Sequence, residues 1–332
     1  MSRKIRWGIL GCGNIANKFA EDLRWVEDAE LLAVASRDHK KAIDFSTRHK
    51  AKLAFGSYKE LVSSPEVDAI YIATPHGLHR EHALLCIEHK KAVLCEKAFA
   101  LNSFDAKEMI EAARKKGVFI MEAFWTKFLP QYEMVLSLIE SNKIGEIKCI
   151  QADFGFKAST PPSPRLYEPL LGGGALLDIG IYPVFLAISL LGKPVEVFAT
   201  MKPFPSGVDQ QIAIVLKFES GALANLSATF EAVTPVEATI AGAEGIIRMT
   251  NRFHNASGNV ELIKNSGAVD IGPIHREQGH GYQFEARHVG DCLRKDLIES
   301  PVMRHHDTLL LMETLDKIRA VCGIRYPADQ RK

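Results

Sequence analysis

A chain of 332 residues exceeds one ordinary hydrophobic core and implies two domains. Its 41 basic and 40 acidic residues leave a net charge of +1, too weak a field to concentrate nucleic acid or an anionic membrane, so neither is an expected partner. The hydrophobic share is 47%, no apolar run reads as long enough to cross a bilayer, no secretory leader is evident, and the six cysteines form no C-x-x-C pair, which together indicate a cytoplasmic protein with reduced thiols.

Residues 5–10 form a short apolar strand running into glycine-rich sequence, and 14–23 has helical spacing. Further strands are predicted over 31–35, 69–73, 92–95 and 118–121, with helices over 40–49, 58–62, 80–88 and 103–116 between them. Apolar strands alternating with amphipathic helices make an α/β fold: a parallel, doubly wound Rossmann sheet covered on both faces, assigned to residues 1–123.

From residue 124 the pattern changes. A helix over 131–141 leads to a strand over 147–156 and a proline-rich stretch, 159–169, and a second helix follows Gly172-Gly173-Gly174. Strand-like runs then recur at 195–201, 211–218, 222–229, 236–241, 245–250 and 259–264 without long helices between them. That pattern predicts a large open, mostly antiparallel sheet, and helices over 282–293 and 307–321 close this second α/β domain, 124–332.

Gly11-Cys12-Gly13-Asn14-Ile15-Ala16 is a G-x-G-x-x-A turn between the first strand and its helix. Gly11 permits the tight turn, Gly13 lets the backbone approach a pyrophosphate, Ala16 allows close helix–strand packing, and the helix N-terminus at Asn14 and Ile15 faces the anion. A glycine turn without a ligand is the alternative, made weak by the βα repeat around it. The second strand ends Ala35-Ser36-Arg37-Asp38. A carboxylate at position 36 would accept from the ribose of NAD and repel a 2′-phosphate, whereas a hydroxyl followed by a guanidinium accommodates one. NADP(H) is therefore the expected cofactor, on Ser36 and Arg37. NAD(H) stays possible, because Asp38 follows and Arg37 also reads as a solvated surface charge.

Two segments carry the candidate chemistry. Cys95-Glu96-Lys97 ends a strand on the side where doubly wound sheets hold ligands. Asp178 and Tyr182, four residues apart, share one face of the helix after the three glycines. A lysine, a carboxylate and a phenol beside a nicotinamide make a proton relay for alcohol oxidation. Singly, Lys97 also reads as a surface cation, Asp178 as a helix-start charge and Tyr182 as a core aromatic.

These motifs resemble the glucose–fructose oxidoreductase/inositol dehydrogenase (Gfo/Idh/MocA) family over essentially the whole chain. The resemblance is strongest to its dimeric dihydrodiol dehydrogenase and NADP-dependent D-xylose dehydrogenase branch. It rests on G-x-G-x-x-A, Ser36-Arg37-Asp38, the TPHGLH run holding Thr74, His76 and His79, VLCEK, MEAFWTKFLP, LLDIGIY and HVGDCLRK. The resemblance implies a Rossmann domain, a second domain whose open sheet forms a homodimer, and Lys97 at the nicotinamide and the reacting hydroxyl. Tyr182 stands where inositol dehydrogenase-like members carry histidine, as in the dihydrodiol branch; the expectation drawn here is that Tyr182 exchanges the hydroxyl proton, Lys97 supplies positive potential to the substrate oxygen, and Asp178 orients the pair. Lys97 as the direct base is the competing assignment, since a desolvated lysine also titrates lower. The family's E-K-P is here Glu96-Lys97-Ala98, so the geometry of the Lys97–Ala98 peptide is open.

Thr74, His76, His79 and Glu96 are assigned with Lys97 to the cofactor cleft, His82 to the helix surface, and the pair His305-His306 to solvent. His76, His79 and His82 form H-x-x-H-x-x-H, but no cysteine or carboxylate set completes a metal site and none is expected. Trp125, Phe154, Phe156 and Arg165 are the candidate substrate contacts, with Phe128 and Tyr167 flanking them. Core packing is the alternative for the aromatics and a surface role for Arg165. The expected reaction is hydride transfer between nicotinamide and a carbinol carbon of a small polyol, sugar or dihydrodiol. The alternatives are a catalytically silent nucleotide sensor, and an NAD-linked inositol- or glucose-type enzyme.

Overall fold

The computed structural model describes residues 3–159 and 163–331; part of the proline-rich stretch, Pro161 and Pro162 included, lies outside them. Two compact units emerge. The first comprises 1–100, 104–125 and 277–308, and the second 101–103, 126–276 and 309–332.

In the first unit β1 (Ile5–Leu10), β2 (Ala29–Ala35), β3 (Leu53–Phe55), β4 (Ala69–Ile72), β5 (Ala92–Glu96) and β6 (Ile120–Ala123) form one parallel sheet. Their order is β3-β2-β1-β4-β5-β6, the doubly wound arrangement expected. β4, β5 and β6 are buried at every position, and strands covered on both faces read as continuous apolar runs. β3 escapes sequence reading because it is three half-buried edge residues, too short for a periodic signal. It shifts the count by one: the strand before His76 is the fourth, and the one before Lys97 the fifth. The order reverses between β1 and β4, which opens a crevice at their carboxyl ends.

A single cut near residue 124 does not describe the units. Helix Tyr282–Arg294 belongs with the first because Asp22, buried on helix Asn14–Leu23, accepts hydrogen bonds from the backbone nitrogens of His280, Gly281 and Tyr282 at 2.8–2.9 Å. No local pattern reveals a cap supplied from some 258 residues away.

The second unit holds β7 (Ile147–Gly155), β8 (Pro194–Pro203), β9 (Asp209–Phe218), β10 (Leu223–Thr229), β11 (Ala238–Gly242), β12 (Ile246–Thr250), β13 (Asn259–Lys264) and β14 (Gly267–Val269). They pair in the order β14-β13-β12-β11-β7-β10-β9-β8, antiparallel except where β7 meets β10. One face is core, with Ile212, Ile214, Leu216, Ala224, Leu226 and Ala228 buried, and helix Ile181–Leu191 has residues 181–188 buried. The segment Pro169–Leu191 is, by length and composition, apolar enough to cross a bilayer, contrary to the sequence reading. Its most apolar window is 83% buried inside the protein, so core packing accounts for its composition. The other face of the sheet leaves Val195, Phe198, Leu223 and Ile246 exposed.

Candidate active site

β1 ends in Gly11, whose φ of +102° is unfavourable for residues with a side chain. A Cβ there would lie 3.0 Å from Thr74 Cγ2 and 3.2 Å from the Ala73 carbonyl oxygen. Gly13 N-caps helix Asn14–Leu23 with no side-chain hydrogen bond, so the first backbone N–H groups of that turn face outward as an anion site. Cys12 between the glycines is a neutral spacer: its thiol lies 3.6 Å from the Ala35 carbonyl oxygen, and burial pushes it up to about 11. Gly11, Cys12, Gly13, Ser36, Arg37, Asp38, Lys41, Tyr58, Thr74 and Pro75 line a cleft of about 370 Å³, a cradle that fits a dinucleotide.

Asp38 is engaged elsewhere in the loop. Its carboxylate N-caps helix His39–His49 by accepting from Lys41 N at 3.3 Å, and its own N–H donates to Ser36 Oγ. Lys41 and Tyr58 were not anticipated. Tyr58 opens helix Tyr58–Ser63 behind a Ser57/Glu60 capping box, and the charge of Arg37 reaches its hydroxyl. His82 is buried, not on the helix surface. Its Nδ1 is 2.9 Å from the Thr74 hydroxyl and its ring meets Tyr58 edge-on at 4.8 Å. Burial, then the neighbouring His79 and Arg37, push His82 down to about 4, which keeps it neutral.

His79 is fully buried between two carbonyls, with Nδ1 2.8 Å from Ala98 O and Nε2 2.7 Å from Thr74 O. It ties the end of β4 to the turn after β5, and His76 packs edge-on against it at 5.7 Å. The Lys97–Ala98 peptide is cis. Lys97 is half-buried, and its charge reaches both His79 and Glu122. Glu122 accepts from Phe99 N at 3.2 Å; burial pushes its carboxyl up to about 7. Glu96 accepts from the Tyr71 hydroxyl in the buried layer, where Tyr71 stacks on Phe19 at 3.8 Å. Trp125 stacks on Tyr282 at 4.5 Å. His305 is also buried, its Nε2 3.0 Å from Ile120 O, so of the pair assigned to solvent only His306 is exposed.

In the second unit the segment after the three glycines starts as a π-helical turn, Leu176–Gly180, and continues as helix Ile181–Leu191. Such turns recur at functional sites. Both Asp178 oxygens accept from Arg165, at 3.2 and 3.0 Å, so Arg165 grips the carboxylate instead of standing free at the surface. Tyr182 packs against Phe154 and His254 with ring centroids 5.8 and 4.7 Å away, and Phe154 and His254 are themselves 4.3 Å apart. His254 lies in the turn after β12 and had no motif to announce it. Phe156 joins a different cluster, 5.2 Å from Phe230, which also meets Tyr167. Among the described residues no group of three or more His, Cys, Asp or Glu side chains is placed to hold a metal ion.

Residues 5–124 match the model of an oxidoreductase family with an NAD-binding Rossmann fold, and residues 132–248 match the GFO/IDH/MocA C-terminal domain. A trans-1,2-dihydrobenzene-1,2-diol dehydrogenase of Xenopus laevis is 39% identical over 97% of this chain and 99% of its own length. The protein of that name from Homo sapiens is 32% identical over 98% and 99%. Among solved structures, an aldose–aldose oxidoreductase from Caulobacter crescentus, complexed with glycerol, matches with a TM-score of 0.88 at 25% identity, over 97% of this chain and 98% of that one. A 3-ketoreductase from Actinomadura kijaniata, in complex with NADP and TDP-benzene, matches at 0.86 and 26% over 96% and 98%.

Proposed function

Because this chain belongs to the GFO/IDH/MocA family and is an NAD(P)-dependent dehydrogenase, we propose that it works with NADP(H) on a carbinol carbon of a small polyol, sugar or trans-dihydrodiol. The observation that carries this reading is Asp178 gripped by Arg165 on the segment that sets Tyr182 among aromatic rings, in a chain that also retains Lys97. The nicotinamide, when bound, accepts or returns the hydride. Tyr182 exchanges the substrate hydroxyl proton, Lys97 supplies positive potential to the substrate oxygen, and Asp178 orients the pair. A phenol titrates near pH 10 when unperturbed and is a poor base at neutrality, and an adjacent ammonium favours its phenolate. Lys97 as the direct base predicts instead that, for alcohol oxidation, Lys97→Met erases the acid limb of the pH–rate profile, the limb set by protonation of the base, while Tyr182→Phe keeps it.

The NADP(H) preference is supported by Asp38 being committed to its cap, which leaves the Ser36 hydroxyl and the Arg37 and Lys41 cations along the cleft. The apolar ring faces of Phe154 and Tyr182 suit a sugar's apolar face or a dihydrodiol ring. A homodimer is proposed through the open face of the eight-stranded sheet. There Val195 and Phe198 are each 57% exposed, an apolar surface of the kind association covers. Six free cysteines, four of them buried, favour a reducing, cytoplasmic compartment.

The deciding experiment is a panel of alcohols with NADP⁺ and NAD⁺, including trans-1,2-dihydrobenzene-1,2-diol and D-xylose, followed by absorbance of the reduced nicotinamide. Turnover faster with NADP⁺ is expected. Tight NADPH binding with no turnover across the panel would overturn the reading in favour of a nucleotide sensor.

A further inference from the structure

We propose that Asp209 and Tyr326 are positioning residues for the segment that carries Asp178 and Tyr182, which makes the C-terminal residues 316–329 a working part of catalysis. The inference rests on the proposed role of that segment. Asp209, the first residue of β9, is completely buried, and its Oδ2 accepts from Leu176 N at 2.6 Å, where the π-helical turn begins. Its other oxygen fills the space beside Gly174, where a Cβ would come within 2.5 Å of it, and Gly174 has a φ of +119°. The Tyr326 hydroxyl donates to the Gly173 carbonyl at 2.6 Å. Two side chains therefore hold the loop from one side.

From the other side the loop is tied to the turn that bears Arg165. Gly174 N donates to Leu166 O at 2.8 Å and Gly173 N to Glu168 O at 3.0 Å. The glycine loop thus sets both partners of the Arg165–Asp178 pair in one frame. Tyr326 is itself fixed. Its N–H donates to Asp329 at 2.9 Å, and the Arg319 guanidinium lies 4.9 Å over its ring. Arg319, buried in the helix His305–Cys322, pairs with Asp316 at 2.6 Å and Asp329 at 2.9 Å. Asn102 and Ser103 bond the same two carboxylates, at 3.2 and 2.8 Å.

A buried carboxylate is costly, and an apolar core residue would often stabilise the fold as well or better. Asp209 earns its place by accepting a hydrogen bond where the π-helical turn starts. The titratable and charged groups that reach it are Arg319, Cys322 and Tyr326; Arg319 is already shared between Asp316 and Asp329. Burial pushes Asp209 up to about 6, against the pull of Leu176 N and Arg319. A neutral carboxyl accepts less strongly than a carboxylate, so acidification through pH 6 loosens Leu176 and lowers the rate.

The test uses the full-length enzyme with Tyr326→Phe, Asp209→Ala and Asp209→Asn, on a substrate that turns over in the alcohol panel. Tyr326→Phe and Asp209→Ala are expected to lower kcat between about tenfold and a hundredfold with the KM for NADP⁺ unchanged. Asp209→Asn, which keeps an acceptor and cannot ionise, restores most of kcat and loses the fall in rate near pH 6. Hydrogen exchange of residues 172–182 accelerates in Tyr326→Phe, while residues 5–41 keep the wild-type rate. If Asp209→Ala fails to fold, Tyr326→Phe and Asp209→Asn still decide. Unchanged kcat and unchanged exchange in Tyr326→Phe, or persistence in Asp209→Asn of the wild-type component near pH 6, distinct from the acid limb of the Tyr182 or Lys97 base, overturns the proposal. Exchange is read without turnover, so an inactive wild type would remove the oxidoreductase reading while this measurement still judged the brace.

Discussion

The nucleotide cleft of the first unit and the Gly172–Tyr182 segment of the second are built by opposite strategies. The cleft is the more local: residues 11–16 and 36–41 supply the turn, the helix start and the cationic rim, with Ser36 and Asp38 bonded within three residues and Gly11 N and Ser36 N tied to Ala35 O and Phe55 O in the adjoining strands. The Gly172–Tyr182 segment, proposed to be catalytic, is held by Arg165, Asp209 and Tyr326, which lie 13, 33 and 153 residues from their bonded partners. Local construction suits a ligand bound in the same way in ground state and transition state. Long-range construction suits a side chain whose error in position costs rate. Changes to the cleft should therefore move affinity, and changes to the segment should move kcat.

The largest expected effect is on the segment's side of that contrast. Tyr182→Phe is expected to lower kcat by about 10²–10⁴-fold, the usual yield of a positioned acid or base, with NADPH affinity unchanged in a fluorescence titration. Full activity in both Tyr182→Phe and Lys97→Met would break the assignment. Next comes Arg37→Ala, which removes charge-assisted contacts worth roughly 1.5–3 kcal/mol, so NADPH should bind about 10- to 100-fold more weakly while NADH affinity stays put. Equal losses for both nucleotides would show that Arg37 does not read the 2′-phosphate.

Arg165→Lys sharpens the comparison because it keeps the charge and loses the two-pronged grip on Asp178. The Arg165 side chain is half exposed, which discounts the pair, so the expected loss in kcat is only about three- to tenfold, read by steady-state kinetics. Phe198→Glu tests the outer face of the sheet: sedimentation should shift from dimer toward monomer, and an unchanged species would move the interface elsewhere.

The smallest effect concerns stability. Glu122 titrates near 7 in the folded protein, above its ordinary value of 4.5, so the folded state binds more protons than the unfolded one between those values. Wild-type stability should therefore fall as pH rises through that window. Glu122→Gln should flatten this dependence in urea melts at pH 4.5 and 7.5, and an equal slope in both proteins would remove Glu122 as its cause.

What sequence reading missed shares one physical feature. His82 looks like a helix-surface residue until Thr74 and Tyr58 close over it. His305 looks solvated until the Ile120 carbonyl meets it. His254 carries no motif, and its place beside Tyr182 comes from a turn 72 residues further along. Helix Tyr282–Arg294 was legible as a helix but not as part of the first unit, because Asp22 caps its start. Burial and partner choice depend on neighbours distant in sequence, and a periodic pattern reports only which face is apolar.

By itself the sequence determined the alternation of strand and helix, the G-x-G-x-x-A turn and the change to an open sheet after residue 124, and it offered Lys97, Asp178 and Tyr182 as candidates for the chemistry. These are properties of periodicity and of residue chemistry within one turn. Tertiary structure alone decided that Arg165 grips Asp178, that Asp209 and Tyr326 brace the glycine loop, and that residues 277–308 return to the first unit. Each of those needs two segments to meet by packing, and the free energy of that meeting is shared across the core, beyond what any local motif encodes.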